Sequence, residues 1–304
     1  MIEGILLLGS WLVKTVYNIN GRKIKTDITI AKHNMNLGIG AKIVLISDLH
    51  ERNPDNAIET IKRIQPDYIM FPGDLWERNE LDSKNGFDYN EMNYNLSGSI
   101  IQRILHHLTK VITGDIFNYK EKIYDNRTEE EKDYSNRFVR EVTKIAPMIL
   151  SVGNHEWYYN PKDYELLGNC GVTLLDNEDT FVDIKGKKAL IGGISTKVNE
   201  KWLKSFLDRE AEFKILMCHQ PEYIEKYIGD RGKVDLIVSG HTHGGQWRLF
   251  GLFPIYAPGQ GFFPKYSRGL YETKAGKMIV TSGCVNPIWI PRIGNPCEVV
   301  EISL

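Results

Sequence analysis

Cysteine is scarce in this chain: Cys170, Cys218, Cys284 and Cys297 are its four, with no CxxC spacing among them. A disulfide framework needs a denser, patterned set, and a structural zinc-thiolate site needs paired cysteines. The spacing argues against both, and for a reducing compartment. Cys218 lies inside an apolar run and reads as a small buried hydrophobe. An excess of one sign of charge is also missing, since 38 basic and 39 acidic residues leave a net charge of -1. Without a broad positive footprint, duplex nucleic acid is not an expected partner, though a nuclease with a local basic groove stays open. The apolar run from Gly4 to Val13, within the N-terminal segment 1–16, has about half the length that a bilayer-spanning helix needs. Only Glu3 precedes it among charged residues and no small-residue cleavage site follows, so a secretory signal is not expected. The segment reads as an element packed on the domain or as a peripheral membrane contact, with Trp11 and Lys14 at headgroup level. The expected location is cytoplasmic, with membrane association left open.

What is present looks like an ordinary globular chain of 304 residues, 42% hydrophobic and 25% charged. No repeat or low-complexity linker divides it, so residues 1–304 read as a single domain with an insertion at about 79–137, a candidate cap. Short apolar runs suited to buried strands occur at Lys42–Ser47, Asp67–Phe71, Met148–Val152, Phe213–Cys218 and Val234–Ser239. Further strands are expected at Val172–Leu175, Thr180–Ile184, Ala189–Ile194, Lys277–Thr281 and Cys297–Ile302. Thr15–Ile30 reads as a hairpin around Asn20-Gly21. Apolar spacing predicts helices over Pro54–Ile64, Ser97–Ile112 and Thr128–Ile145, the last capped by Thr128.

The five buried runs share a design. Each delivers polar residues just past its end: Asp48 and His50, Asp74, Asn154 and His155, His219, then His241 and His243. In α/β proteins, ligand and catalytic groups gather outside the carboxyl ends of strands. Five of the eight histidines sit at such ends, whereas His33, His106 and His107 do not. Imidazoles, carboxylates and one amide oxygen form a donor set of borderline hardness. It suits manganese, iron, zinc or cobalt better than calcium or magnesium alone.

Asp48-x-His50, Gly73-Asp74, Gly153-Asn154-His155-Glu156, His219 and Gly240-His-Thr-His243 together resemble, in order, the signature of the calcineurin-like metallophosphoesterases. Gly244-Gly-Gln246, Tyr256-Ala-Pro and Gln260-Gly-x-Phe-Pro-Lys-Tyr266 look like a bacterial phosphodiesterase branch that includes a UDP-2,3-diacylglucosamine hydrolase. Gly73-Asp-Leu-Trp-Glu-Arg78 differs from the GDxVDRG block of the protein Ser/Thr phosphatases. The resemblance implies an α/β fold, a four-layer α/β/β/α sandwich with two central mixed sheets. It implies two divalent transition-metal ions, one held by Asp48, His50, Asp74 and His243 and the other by Asp74, Asn154, His219 and His241, with Asp74 as the bridge. His155, beside Asn154, would face the phosphate as the catalytic group, oriented by Glu156. The activity implied is hydrolysis of a phosphodiester or pyrophosphate by in-line attack of a metal-bridging hydroxide.

The substrate class is less constrained. The apolar N-terminal segment, the aromatic loop Trp247–Tyr271 and the insertion make a lipid-linked phosphoester attractive beside an ordinary small molecule. Arg248 and Arg268 are candidates for holding a second phosphate. A phosphomonoesterase, a nuclease and a non-catalytic metal-binding scaffold are the competing readings, the last opposed by an intact His155.

Overall fold

The computed structural model describes residues 28–78, 133–286 and 292–304. The hairpin around Asn20-Gly21, the N-terminal segment 1–16, the helix expected over Ser97–Ile112 and most of the insertion lie outside these residues. The first strands in the chain are β1 (Thr29–Asn34), β2 (Lys42–Leu45), β3 (Tyr68–Phe71), β4 (Met148–Ser151) and β5 (Thr173–Leu175). Then follow β6 (Glu178–Ile184), β7 (Lys187–Ile194), β8 (Phe213–Cys218) and β9 (Leu236–Ser239). Four two-residue strands come next: β10 (Arg248–Leu249), β11 (Phe253–Pro254), β12 (Tyr256–Ala257) and β13 (Gly261–Phe262). β14 (Gly269–Glu272), β15 (Lys277–Val280) and β16 (Glu298–Ser303) complete the set. The α-helices among the described residues are α1 (Asp55–Ile64), α2 (Tyr134–Val142), α3 (Pro161–Asn169) and α4 (Glu200–Asp208).

Two six-stranded sheets result, one ordered β1-β16-β2-β3-β4-β5 and the other β14-β15-β9-β8-β7-β6. Both are mixed. β2, β3, β4 and β5 run parallel while β16 opposes β2, and β7, β8, β9 and β15 run parallel while β6 and β14 oppose their neighbours. Side chains alternate faces along a strand, so a continuous apolar run serves two cores at once. Ile43 and Leu45 of β2 point between the sheets, while Val44 and Ile46 point to the outer helices. Ile215 and Met217 of β8 meet them in the inter-sheet core, and Leu216 and Cys218 face the other way. α1, α2 and α3 cover the first sheet through Ile58, Phe138 and Leu167, and α4 covers the second through Leu203 and Phe206. The layers are therefore helix, sheet, sheet, helix, as the resemblance implied.

Local chemistry explains the ends of the elements. α3 starts at a capping box in which Asn160 accepts from the Asp163 amide while Asp163 accepts from the Asn160 amide, with Pro161 at the first helical position. α4 starts at Asn199, whose side chain accepts from the Trp202 amide. The apolar pattern did not single out these two short helices. β1 brings together distant parts of the chain: Thr29–Asn34 pairs in parallel with β16. No helix among the described residues is long and apolar enough to cross a membrane.

Candidate metal centre

The segments that follow β2, β3, β4, β8 and β9 meet in one pit. The chain beyond β2 stays zipped to the chain beyond β3, with the Asp48 amide donating to Gly73 O at 3.2 Å and the His50 amide to Asp74 O at 3.0 Å. Two glycines permit this closeness. A Cβ on Gly153 would stand 2.2 Å from Asp74 Oδ1, and one on Gly240 would stand 2.1 Å from Ser47 Oγ. The backbone is strained as well as crowded. Asp48, His50, Asp74, His241 and His243 all take the left-handed conformation, with φ between 46° and 69°. Such a non-glycine conformation costs on the order of 1–3 kcal/mol each, and it persists only where the surroundings enforce it.

Asp74 is the hub. Its Oδ1 accepts from the His155 amide at 2.9 Å, which leaves Oδ2 aimed into the pit. Around Oδ2 stand His219 Nε2 at 3.0 Å, His50 Nε2 at 3.5 Å and His155 Nε2 at 4.0 Å. Asp48 faces it from the other side, held by Ser47 Oγ and by the His241 amide at 3.1 Å. Its Oδ1 lies 3.9 Å from both His50 Nε2 and His243 Nε2. Asn154 Oδ1 is 3.1 Å from His219 Nε2. The His219 and His241 rings are 5.1 Å apart, centre to centre, in an edge-on arrangement. Every residue expected at the site is thus brought together. Their donor atoms fall into three groups, each within 4.8 Å: Asp48, His50 and His243; His50, Asp74 and His155; Asp74, His219 and His241.

The residues fit a cation. His50 Nδ1 lies 2.8 Å from Glu77 Oε1, so Nδ1 carries the hydrogen and Nε2 presents a lone pair. That Nε2 is buried with no hydrogen-bond partner among the described residues, and it faces Asp74 Oδ2 at 3.5 Å. Two facing electron-rich atoms in a dry site are costly unless a positive charge lies between them. His219 repeats the pattern. Its Nδ1 is 3.1 Å from Pro72 O, a pure acceptor, so its Nε2 is the atom turned to Asp74 and Asn154.

The electrostatics agree. Burial pulls the imidazolium of His219 down, but the charges of Asp74, Asp48 and Glu156 outweigh it and lift its pKa to about 9. Burial also pushes Asp74 toward protonation, yet the imidazoles of His219, His155 and His50 hold it well below the usual carboxylate range. Burial keeps His50, His241 and His243 on the neutral side, the state in which an imidazole can bind a metal. The carboxylates therefore demand positive charge, and a metal entering the pit is expected to release the His219 proton.

One expected role moves to another residue. Glu156 does not orient His155. Its carboxylate accepts from the amides of Asp74 at 2.9 Å, Trp76 at 3.0 Å and Gly153 at 2.7 Å, pinning the loops after β3 and β4 together. The residue that holds His155 is Glu77, whose Oε2 is 2.8 Å from His155 Nδ1 while its Oε1 holds His50. Glu77 stands three residues after Asp74, and that spacing is the signal for it in the sequence. Arg292 was missed too: its Nη2 lies 3.3 Å from His243 Nδ1 while its other bonds go to Ser282 O and Val285 O. The two arginines considered for a second phosphate are otherwise engaged. Arg248 donates to Gly244 O, Gly251 O, Leu252 O and Ser267 Oγ, and Arg268 pairs with Glu298 at 2.6 Å.

Comparison with known proteins points the same way. The calcineurin-like phosphoesterase family model matches residues 99–245. An uncharacterized metallophosphoesterase of Campylobacter jejuni, Cj0846, is 29% identical over 203 residues, covering 64% of this chain and 50% of the relative. The Bacillus subtilis protein YpbG is 36% identical over 121 residues, covering 38% of this chain and 45% of YpbG. The matches thus span about half the length of these curated relatives. Among solved structures, a 5'-nucleotidase precursor from Thermus thermophilus aligns with a TM-score of 0.42 at 10% identity, covering 87% of this chain and 54% of the other. The chain is thus similar to calcineurin-like phosphoesterases over residues 99–245 and to an uncharacterized metallophosphoesterase over 203 residues, and its three donor groups could hold metal ions.

Proposed function

We propose that the protein is a two-metal phosphodiesterase. The observation that carries this reading is Asp74 Oδ2, a buried carboxylate oxygen on which three imidazole nitrogens converge. Asp48, His50, Asp74 and His243 are assigned to one ion, and Asp74, Asn154, His219 and His241 to the other. Bound there, two divalent ions would supply the Lewis acidity that activates water near neutral pH and neutralises charge on the phosphate. The protein's own residues do the rest. Glu77 fixes the hydrogen on His155 Nδ1, so Nε2 is the nitrogen that exchanges a proton toward the pit. As imidazolium, His155 can donate that proton to the departing alkoxide. Glu156 keeps the Asp74 and Asn154 loops in register, so that phosphate and proton donor meet at a fixed separation.

The substrate proposed is a small phosphodiester or pyrophosphate, lipid-linked ones included, as in the UDP-2,3-diacylglucosamine hydrolase-like branch suggested by the sequence. The test is a panel of bis-p-nitrophenyl phosphate, p-nitrophenyl phosphate and a nucleotide-diphosphate lipid, using protein reconstituted with manganese, iron or zinc and analysed for metal. Faster turnover of the diester or the pyrophosphate is expected. Preference for the monoester would overturn the diesterase assignment, and metal uptake with no hydrolysis would leave a scaffold.

A further inference from the structure

The loops that follow β4 in one sheet and β7 in the other enclose a cavity of about 520 Å³, with the turn from β5 to β6 on its border. That volume lies within the roughly 300–1,000 Å³ of small-molecule sites. The cavity begins where the metal pit ends, since Gly153 and Asn154 belong to both. Its walls are set in advance. Asn177 accepts from the amides of Ser195 at 3.4 Å and Asn199 at 3.0 Å and donates to Lys197 O at 2.8 Å, which fixes the loop after β7 against the β5–β6 turn. On the β4 side, the Tyr159 ring packs edge-on against Trp76, 5.8 Å between centres, and lies 5.7 Å from Tyr164.

Two groups in these walls have no explanation within the fold. The hydroxyls of Tyr159 and Thr196 are buried and have no hydrogen-bond partner among the described residues. Native structures leave few such groups, because each loses its water and gains nothing in return. Burial and the charges of Glu156 and Asp176 keep the Tyr159 phenol protonated, so it stands there as a donor.

The rest of the lining identifies the guest. Asp176 and Glu178 are exposed at its open side and repel a second phosphate. A cation fits no better, because Lys197 Nζ already lies 5.5 Å from the centre of the Trp157 ring, where a cation would sit. A cation also cannot accept from two hydroxyls. A sugar ring meets every part: its hydroxyls donate to the carboxylates and accept from Tyr159 and Thr196, and its apolar face lies on an aromatic side chain. We propose that this cavity binds a neutral sugar ring joined to the scissile phosphate, an inference that rests on the phosphodiesterase reading and narrows its substrate class.

Four p-nitrophenyl diesters that release the same p-nitrophenolate test this, their second arm being phenyl, choline, the C6 oxygen of glucose or the C5 oxygen of ribose. With metal-reconstituted protein, the sugar esters are expected to have KM values at least about tenfold below the other two. Equal KM values would overturn the proposal, and a lowest KM for the choline ester would replace the sugar with a cationic guest. Tyr159→Phe and Thr196→Val each remove a hydroxyl that the fold leaves unpaired. Each should lower the sugar-to-phenyl ratio of kcat/KM about fivefold while the melting temperature holds or rises. A falling melting temperature would show that the hydroxyl serves the fold, against the proposal. Should no ester be hydrolysed, the phosphodiesterase reading fails by itself. Glucose 6-phosphate and ribose 5-phosphate then probe the cavity through tryptophan fluorescence: quenching that Trp157→Phe abolishes would uphold the sugar site, and absence of quenching would overturn it.

Discussion

The loops after β2 and β3 bring Asp48 and Asp74 to the pit, while those after β8 and β9 bring His219, His241 and His243. One sheet thus supplies the negative charge, and the other supplies neutral donors that burial keeps unprotonated, His219 excepted. The carboxylate on the second side, Glu222, sits behind His241. It would be 2.0 Å from a Cβ on Gly259, with His241 Nε2 at 3.4 Å, and its Oε2 is buried without a partner. A charge-bearing half and a donor-bearing half respond differently to substitution. Loss of Asp48 or Asp74 alters how much positive charge the pit demands, whereas loss of His241 or His243 alters only how many atoms hold it.

The largest effect should come from the hub. Asp74→Asn is expected to lower phosphoester turnover beyond about 10⁴-fold and to empty both metal positions, as read by metal analysis of the purified protein. One fully retained ion would break the bridging assignment. His155→Ala is expected to cost roughly 10²–10⁴-fold in turnover while metal content stays unchanged. Metal loss in that variant would instead recruit His155 as a ligand, a role its grouping with His50 and Asp74 would allow. Glu77→Gln should cost roughly 10–100-fold, because it loosens His50 and His155 together; an altered pH profile would separate this from simple destabilisation.

The smallest effect sharpens the second side. Burial lifts the Glu222 carboxyl from 4.5 to about 7. A folded-state pKa raised above the unfolded one contributes stability that is full below about pH 4.5 and lost as pH rises through 7. Metal-free protein should therefore melt at a lower temperature at pH 8 than at pH 5, and Glu222→Gln should flatten that slope. An unchanged slope would show that Glu222 is not the group responsible.

Much of this was legible in the sequence because metal chemistry restricts residue types so tightly. Aspartate and histidine at five strand ends have few bland explanations, and the apolar runs that precede them could be read directly as strands. Orientation was harder. Glu156 and Glu77 are both carboxylates near His155 in the chain or in space, and only the path of the loops decides that Glu156 caps backbone amides while Glu77 meets the imidazoles. α3 and α4 escaped because nine residues give little periodicity, and their caps, Asn160 and Asn199, carry the signal instead. β1 escaped because its partner lies far along the chain, at Thr29 opposite Glu298. No local pattern announces such a pairing.

That distant partner has a consequence for biosynthesis. β16 lies between β1 and β2, so neither flanking strand has its neighbour until Glu298–Ser303 has left the ribosome. During translation the nascent chain must carry the β16-facing edges of Thr29–Asn34 and Lys42–Leu45 without that partner, exposed to the wrong strands of other chains. Completion of the sheet that bears Asp48 and Asp74 in this way awaits Glu298–Ser303, and cleavage just before Glu298 should leave β2 with β3 as its one remaining neighbour among the described strands.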